Sequence, residues 1–424
     1  MGKSICSKAR LIAIVMLVVA AFPGVSGALE LEMWECWGGT RTNWIKEYIA
    51  AFEAENPGIT VNVMTFGCGD ITPKFITAYA GGVAPDLIMF QTFDITILAE
   101  QGMLTPIGPF MERDGLTTDI WYPSEIFSGV WNGVQYGLPV RSGGDANTIL
   151  YLNVDHFQEV GLDVDAPMPT LDALREAGQK LVRYSGDQIS RSPMRLADFP
   201  GGDFNNLAWI YAGGGQFLSE DLRRPLFTEG GAVEVFEKLH EISQSWFAAP
   251  ADVLWGQFEA QTASMEHVGA WRWSFFKENE VNFRVIPLPR LREDIPYTGA
   301  HIGTWHYVIP QTGKAPGAAW ELLKWLATRE DTLGDFLLRQ GRLAPIVAFN
   351  ENPEYLTINP DVYKLSEAMA LAAPVTMLPI SRDLMTIHGQ AARRAMLGEE
   401  SVRGALLGAA EVISARLDEY WGVN

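Results

Sequence analysis

Apolar and polar positions alternate with period two in two early stretches. Leu29, Leu31 and Met33 interleave with glutamates, and Ile59, Val61 and Val63 interleave with polar residues; both read as strands with one buried face. Between them Trp44, Ile45, Tyr48, Ile49 and Phe52 recur on one helical face, opened by Gly38-Gly39-Thr40 and closed by Asn56-Pro57-Gly58. A second helix is predicted around Lys74–Ala80, stopped by Gly81-Gly82, and the short apolar run Asp86–Phe90 reads as a buried strand. Strand, helix, strand, helix, strand is the pattern of an α/β fold, a parallel sheet with helices on its faces. Ligands of such sheets bind beyond the carboxyl ends of the strands, where this chain carries Trp37, Gln91 and Asp94. The middle of the chain continues in kind. Thr170 can cap a helix carrying Leu171, Leu174, Ala177 and Leu181, Gly213-Gly214-Gly215 breaks the apolar run Leu207–Ala212, and Val233, Phe236, Leu239 and His240 mark another helical face.

The first residues do not belong to this pattern. Lys3, Lys8 and Arg10 precede an apolar run from Leu11 to Phe22, followed by Pro23-Gly24 and the small residues Ser26, Gly27 and Ala28. This order predicts a secretory signal peptide over 1–27, cleaved near Gly27 or Ala28. The alternative, a single-pass anchor, is disfavoured because the run is short for a bilayer. No Cys follows the small residues, so the exported chain is expected to be released without a lipid anchor.

Composition then limits what the exported chain can do. Of 424 residues 48% are hydrophobic and 14 are Trp, enough to bury the cores of two or three globular units. With 32 Lys and Arg against 51 Asp and Glu, the net charge is -19, and -22 once the leader's three cations are removed. A nucleic-acid binder needs a basic surface, so the charge argues against that class. Two cysteines remain, Cys36 and Cys68, each just after a predicted strand. If those strands are parallel neighbours, the sulfurs fall within bonding range, and an oxidising compartment favours a disulfide. Two buried thiols are the alternative. The six histidines are scattered, and His301 and His306 would point to opposite faces of one strand, so no metal site is expected. No cofactor is expected either: no P-loop, complete dinucleotide glycine motif or Gly-x-Ser-x-Gly elbow is present.

Several segments, in order, carry a family resemblance: FEAENPGI after Trp44, GGVAPDLIMF (81–90), YGLPV (136–140), ILYLNVDHFQEVGLD (149–163), GAWRWS (269–274), VNFRVIPLP (281–289) and AWELLKWLATRE (319–330). Together they resemble the bacterial extracellular solute-binding proteins of the sugar-binding class, and the passage 269–289 is similar to maltose-binding proteins. The resemblance implies the periplasmic binding protein fold: two α/β lobes joined by a hinge, with an inter-lobe ligand cleft. By position one lobe would hold 28–146 and 288–341, and the other 147–287 and 342–424. It also implies the task, capture of a solute outside the inner membrane and its presentation to the permease of an ABC importer, by a monomer.

A pyranose presents hydroxyls at its edge and apolar C–H faces, which proteins meet with aromatic platforms and in-plane polar groups. The resemblance places Trp271 as the platform, with Trp273 beside it if the segment is extended. Trp37 has a similar claim from its strand end. Polar candidates are Gln91, Asp94, Asp145, His301, Arg342 and the 203–205 loop with Asp203, Phe204 and Asn205; Trp305 completes the set. The 203–205 loop is shorter than in maltose-binding proteins, which speaks against maltodextrin itself. Two other solute classes, glycerol phosphates and polyamines, are compatible with the fold, although Arg141 and Arg342 are the evident cations for a phosphate. A secreted glycosidase also pairs carboxylates with aromatics, but no carboxylate pair of the required spacing is identifiable.

Overall fold

The computed structural model describes residues 28–142, 148–196, 204–296 and 299–422. The expected leader, Asp145 and Asp203 lie outside them, as does the side chain of Phe204. In chain order, β1 (Leu29–Glu35), α1 (Thr40–Glu55), β2 (Ile59–Thr65), α2 (Ile71–Ala80), β3 (Leu87–Gln91) and α3 (Thr92–Glu100) alternate as the hydrophobic pattern predicts. After α4 (Pro123–Phe127) and β4 (Gly137–Pro139) the chain enters a second unit. This contains β5 (Ile149–Asn153), α5 (Leu171–Leu181), α6 (Phe204–Ala212), α7 (Gly231–Trp246), β6 (Met265–His267), α8 (Trp273–Glu278) and β7 (Phe283–Pro287). It passes through β8 (Ala300–His301) and returns to the first sheet as β9 (Trp305–Val308), followed by α9 (Pro316–Thr328). It then crosses back to β10 (Ala373–Pro374), α10 (Ser381–Met396) and α11 (Val402–Trp421).

The first sheet runs β2-β1-β3-β9-β4. Its β1 lies parallel to β2 and β3, while β9 is antiparallel to β3 and β4, because the chain enters it from the other unit. The second sheet, β6-β5-β7, is wholly antiparallel. Alternation along β5 sends Leu150 and Leu152 into one hydrophobic cluster and Ile149 and Tyr151 into another, so this sheet is covered on both faces. The placement of His301 and His306 on one strand is corrected: they lie on β8 and β9, strands of different sheets.

The parallel register Glu35↔Thr65 brings the ends of β1 and β2 together, and Cys36 and Cys68 are joined there by a disulfide spanning 32 positions. Replacing both by serine is expected to cost about 3–4 kcal/mol, from the loop entropy returned to the unfolded chain. Urea unfolding of the oxidised parent and the double variant checks this.

His388, on α10, sits among Phe217, Phe227 and Phe236, and neither ring nitrogen has a hydrogen-bond partner. Burial alone pushes its pKa down from 6.5 to about 3. The folded state therefore resists a proton that the unfolded chain accepts, so this contribution is intact above pH 6.5 and lost as pH falls from 6.5 towards 3. His156 and His306 act in the same direction, each lowered to about 4, chiefly by burial. His388→Leu is expected to reduce the loss of stability between pH 6.5 and 4, read as a smaller fall in Tm over that range.

Candidate functional site

At the carboxyl end of β1 the chain turns sharply into α1, and a buried carboxylate fixes the turn. Glu35 accepts from the Trp37 backbone N–H at 2.5 Å and from the Thr65 hydroxyl at 2.6 Å, while the Thr42 hydroxyl donates to the Trp37 carbonyl at 2.8 Å. Burial raises the Glu35 pKa against these hydrogen bonds, which favour its charged form. Trp37 itself is only 5% exposed. Its ring stacks on Phe336 at 5.1 Å and meets Trp305 edge-on at 6.5 Å. Trp37, expected as a sugar platform, and Trp305, expected among the ligand residues, are both buried and packed in the aromatic core of the first unit.

The other half of the tryptophan set divides cleanly. Residues 270–272 form a 3-10 turn leading into α8, so Trp271 and Trp273 do not share an extended face. Trp273 is buried, edge-on to Phe283, with Gly341 against its ring; a Cβ at Gly341 would overlap that ring. Trp273 is a core residue. Trp271 remains 37% exposed and lines a pocket of about 200 Å³ on the second unit.

Gln91 ends β3, and Asp94 lies in the first turn of α3. Both meet Arg382 of α10: its guanidinium reaches Asp94 at 3.2 Å and Gln91 at 3.4 Å, and lies 3.9 Å from the Phe93 ring centroid. Asp94 is nearly buried, and desolvation raises its pKa while Arg382 opposes the rise. Phe93 packs into the core of the second unit, so this contact ties the two units together. The structure thus gives Asp94 an inter-unit ion pair. His301 is buried and bonds Glu125 at 2.9 Å, and Glu125 also accepts from the Ser142 hydroxyl at 3.0 Å. It lines a larger cavity of about 710 Å³ between α3 and α4 on one side and 369–378 on the other; among the expected ligand residues only His301 does so.

Arg342 is buried and donates to the Ser142 carbonyl at 3.2 Å, and Arg141 approaches the same carbonyl at 3.4 Å. Arg41, at the start of α1, is close enough to Arg342 that repulsion, added to burial, lowers its pKa. Asn205 donates from Nδ2 to the His267 carbonyl at 3.1 Å, joining the start of α6 to β6. Glu266, on β6, is buried and lines the same pocket as Trp271; it, Arg41, Glu125 and Arg382 are not among the candidates the sequence offers. Arg41 had a readable signal, since it follows Gly38-Gly39-Thr40 at a strand-to-helix turn. The others acquire their surroundings from segments far away in the sequence.

Two α/β units crossed three times by the chain give the two-lobed architecture of periplasmic solute-binding proteins. Residues 38–332 match the family of bacterial extracellular solute-binding proteins, and the chain belongs to that family. Its fold is similar to that of the sugar-binding protein MalE from Xanthomonas citri, with TM-score 0.78, 18% identity and coverage of 93% of this chain and 98% of that one. The cyclic α-maltosyl-1,6-maltose binding protein from Arthrobacter globiformis gives TM-score 0.78 and 20% identity, covering 93% of this chain and all (100%) of that one. In sequence, a periplasmic sn-glycerol-3-phosphate-binding protein of Rhizobium meliloti is 28% identical over 183 residues, 41% of each chain. Among the described residues no helix is long and apolar enough to cross a membrane.

Proposed function

We propose that this chain is the periplasmic receptor of an ABC importer, capturing a mono- or oligosaccharide between its lobes and delivering it to a membrane permease. The observation that carries the reading is Trp271: a large indole left more than one-third exposed beside a polar pocket, while Trp37, Trp273 and Trp305 are all packed away. The similar structures support it: the Xanthomonas protein is a sugar-binding protein and the Arthrobacter protein binds cyclic α-maltosyl-1,6-maltose. In this reading 1–27 is a cleaved leader, the lobes comprise 28–146 with 288–341 and 147–287 with 342–424, and the mature monomer carries no lipid. Ligand touching both lobes binds the closed form better and so stabilises it; conversion from mostly open to mostly closed requires a differential of about 5 kcal/mol. Binding without cleavage is the expected outcome, so no new reducing ends form from an oligosaccharide.

A second reading, a phosphate ester, draws on the convergence of Arg41, Arg141 and Arg342 and on the Rhizobium relative. A thermal-shift screen against mono-, di- and trisaccharides, sn-glycerol 3-phosphate and spermidine separates the classes. A sugar present at 100 times its Kd adds about 2.7 kcal/mol of stability. A shift with glycerol phosphate and none with any sugar would overturn the sugar reading.

A further inference from the structure

The helix α3 belongs to the first unit, and each of its ends meets the second unit in a different way. At its start Thr92 is locked to the crossing segment that follows β8. Its backbone N–H donates to the Thr304 carbonyl at 3.0 Å, and its hydroxyl accepts from the Thr304 N–H at 2.9 Å. The Thr304 hydroxyl in turn donates to the carbonyl of Arg141, on the first crossing, at 2.6 Å. Gly303 keeps this approach close, since at its φ of 82° an added Cβ would overlap the Thr92 side chain. A knot that binds two crossings to one helix start is the pivot about which the lobes can turn. With a rise of about 1.5 Å per residue, Asp94 stands about 3 Å along α3 from Thr92, and Glu100 about 12 Å. The Asp94–Arg382 ion pair therefore lies at the pivot, and Glu100 lies at the end of a lever.

The far end of that lever is also held. The Tyr420 hydroxyl, on the next-to-last residue of α11, donates to Glu100 Oε1 at 3.1 Å. Burial and the Glu100 carboxylate raise the Tyr420 pKa to about 12, so the hydroxyl keeps the proton it donates. Trp421 fixes the mount on the second unit: its indole N–H donates to the Leu222 carbonyl at 3.2 Å, and the Arg223 guanidinium lies 4.6 Å from its ring. Arg416 bonds Asp383 at 3.4 Å and ties α11 to the start of α10. The sheet shows on which side of the pivot this contact falls. Strand β9 is antiparallel to β3, and Leu104 pairs with Pro310 beyond the end of β9, so the chain leaving Glu100 is back at the amino-end edge of β3. Glu100 and Tyr420 thus meet behind the pivot, on the opposite side from Gln91 and the carboxyl ends of the strands. The cavity of about 710 Å³ opens there too, walled by Thr96, Trp131, Met369 and Trp421, and leaves room for the lobes to change angle.

Lobes that turn together over the carboxyl ends of the strands separate behind the pivot, and the displacement at Glu100 is about four times that at Asp94. We propose that the Tyr420–Glu100 hydrogen bond is a latch that holds the lobes open and is broken when ligand closes them, while Asp94–Arg382 persists in both arrangements. The latch rests on one part of the reading above, that ligand closes the lobes over the strand ends. Its consequence is a ligand affinity lower than the cleft alone would give, because each closure must break the bond.

The test compares Tyr420→Phe, Glu100→Ala, the double variant and Glu100→Gln with the parent. Nitroxides on Glu112→Cys and Asp418→Cys, one on each unit and with the native disulfide intact, report the gap behind the pivot by pulsed dipolar spectroscopy. Without ligand, Tyr420→Phe and Glu100→Ala should each raise the population at the longer label distance about threefold to fivefold, the worth of one partly exposed hydrogen bond. The double variant should gain no more than either single change, because both remove the same bond. Glu100→Gln still accepts from the hydroxyl and should match the parent. In calorimetry with maltose and with mannobiose, the same variants should tighten binding by the same factor. A merely structural Tyr420 would lower Tm and leave both readouts unmoved. An unchanged long-distance population, or growth of a shorter one, overturns the latch whatever the sugars do. If neither sugar binds, the sugar reading loses that support and the label populations alone decide the latch.

Discussion

Replacing Trp271 by alanine is expected to weaken sugar binding about 100-fold while leaving the fold in place. The estimate combines the loss of apolar burial from a large aromatic with the loss of ring-to-ring stacking, together ~2.7 kcal/mol. The fold should survive because the indole is more than one-third exposed and its nearby cation, Arg272 at 5.8 Å, keeps its bond to Glu259 and its contacts with Phe275 and Phe276. Tm should stay within about 2 °C of the parent, as surface substitutions generally do. Trp273→Ala should behave in the opposite way, destabilising the fold through the cavity opened against Gly341 and Phe283. Calorimetric affinities set beside thermal melts discriminate the two roles. Unchanged affinity in Trp271→Ala would remove the platform assignment.

Gly231→Ala is expected to be the most damaging small substitution for folding. Gly231 opens α7 where the chain passes directly against Gly213, just after α6, and an added Cβ would overlap the Gly213 carbonyl oxygen. Backbone cannot move aside as a flexible side chain does, so the cost is about 3 kcal/mol or more. The effect should spread, because α6 and α7 pack together with α10 and α11 around the largest hydrophobic cluster. A lowered midpoint with an unchanged slope in urea is the expected result. Gly230→Ala is the informative neighbour: it has open space for a Cβ, but its φ of 49° with ψ of -134° lies outside even the left-handed helical region, so it should cost about 1–3 kcal/mol through backbone strain rather than collision.

Local elements were largely legible in the chain. The face Ile45, Tyr48, Ile49 and Phe52 is the buried face of α1, and Thr170 caps α5 by accepting from the Ala173 N–H, as its spacing suggested. The strand β3 begins one residue later than predicted, after Asp86, whose carboxylate accepts from the backbone N–H groups of Glu32 and Lys314 and so ends the turn. The site was less legible, for a reason that the four tryptophans illustrate. Each sits beside a strand end or a turn in the sequence, and nothing local distinguishes the indole that meets solvent from those that meet Phe336 or Gly341, which arrive from about 70 to 300 residues away.

The sequence by itself determined the alternation of strands and helices, the positions of Cys36 and Cys68 at neighbouring strand ends and the family to which the chain belongs, because these depend on short-range periodicity and on ordered motifs. The tertiary structure alone decided that β9 enters the first sheet antiparallel, that Arg382 holds Asp94 across the two units, and that Glu266 is buried beside an open pocket. Those outcomes depend on which distant side chains exclude water from a given group. That exclusion arises only once the lobes have closed their cores.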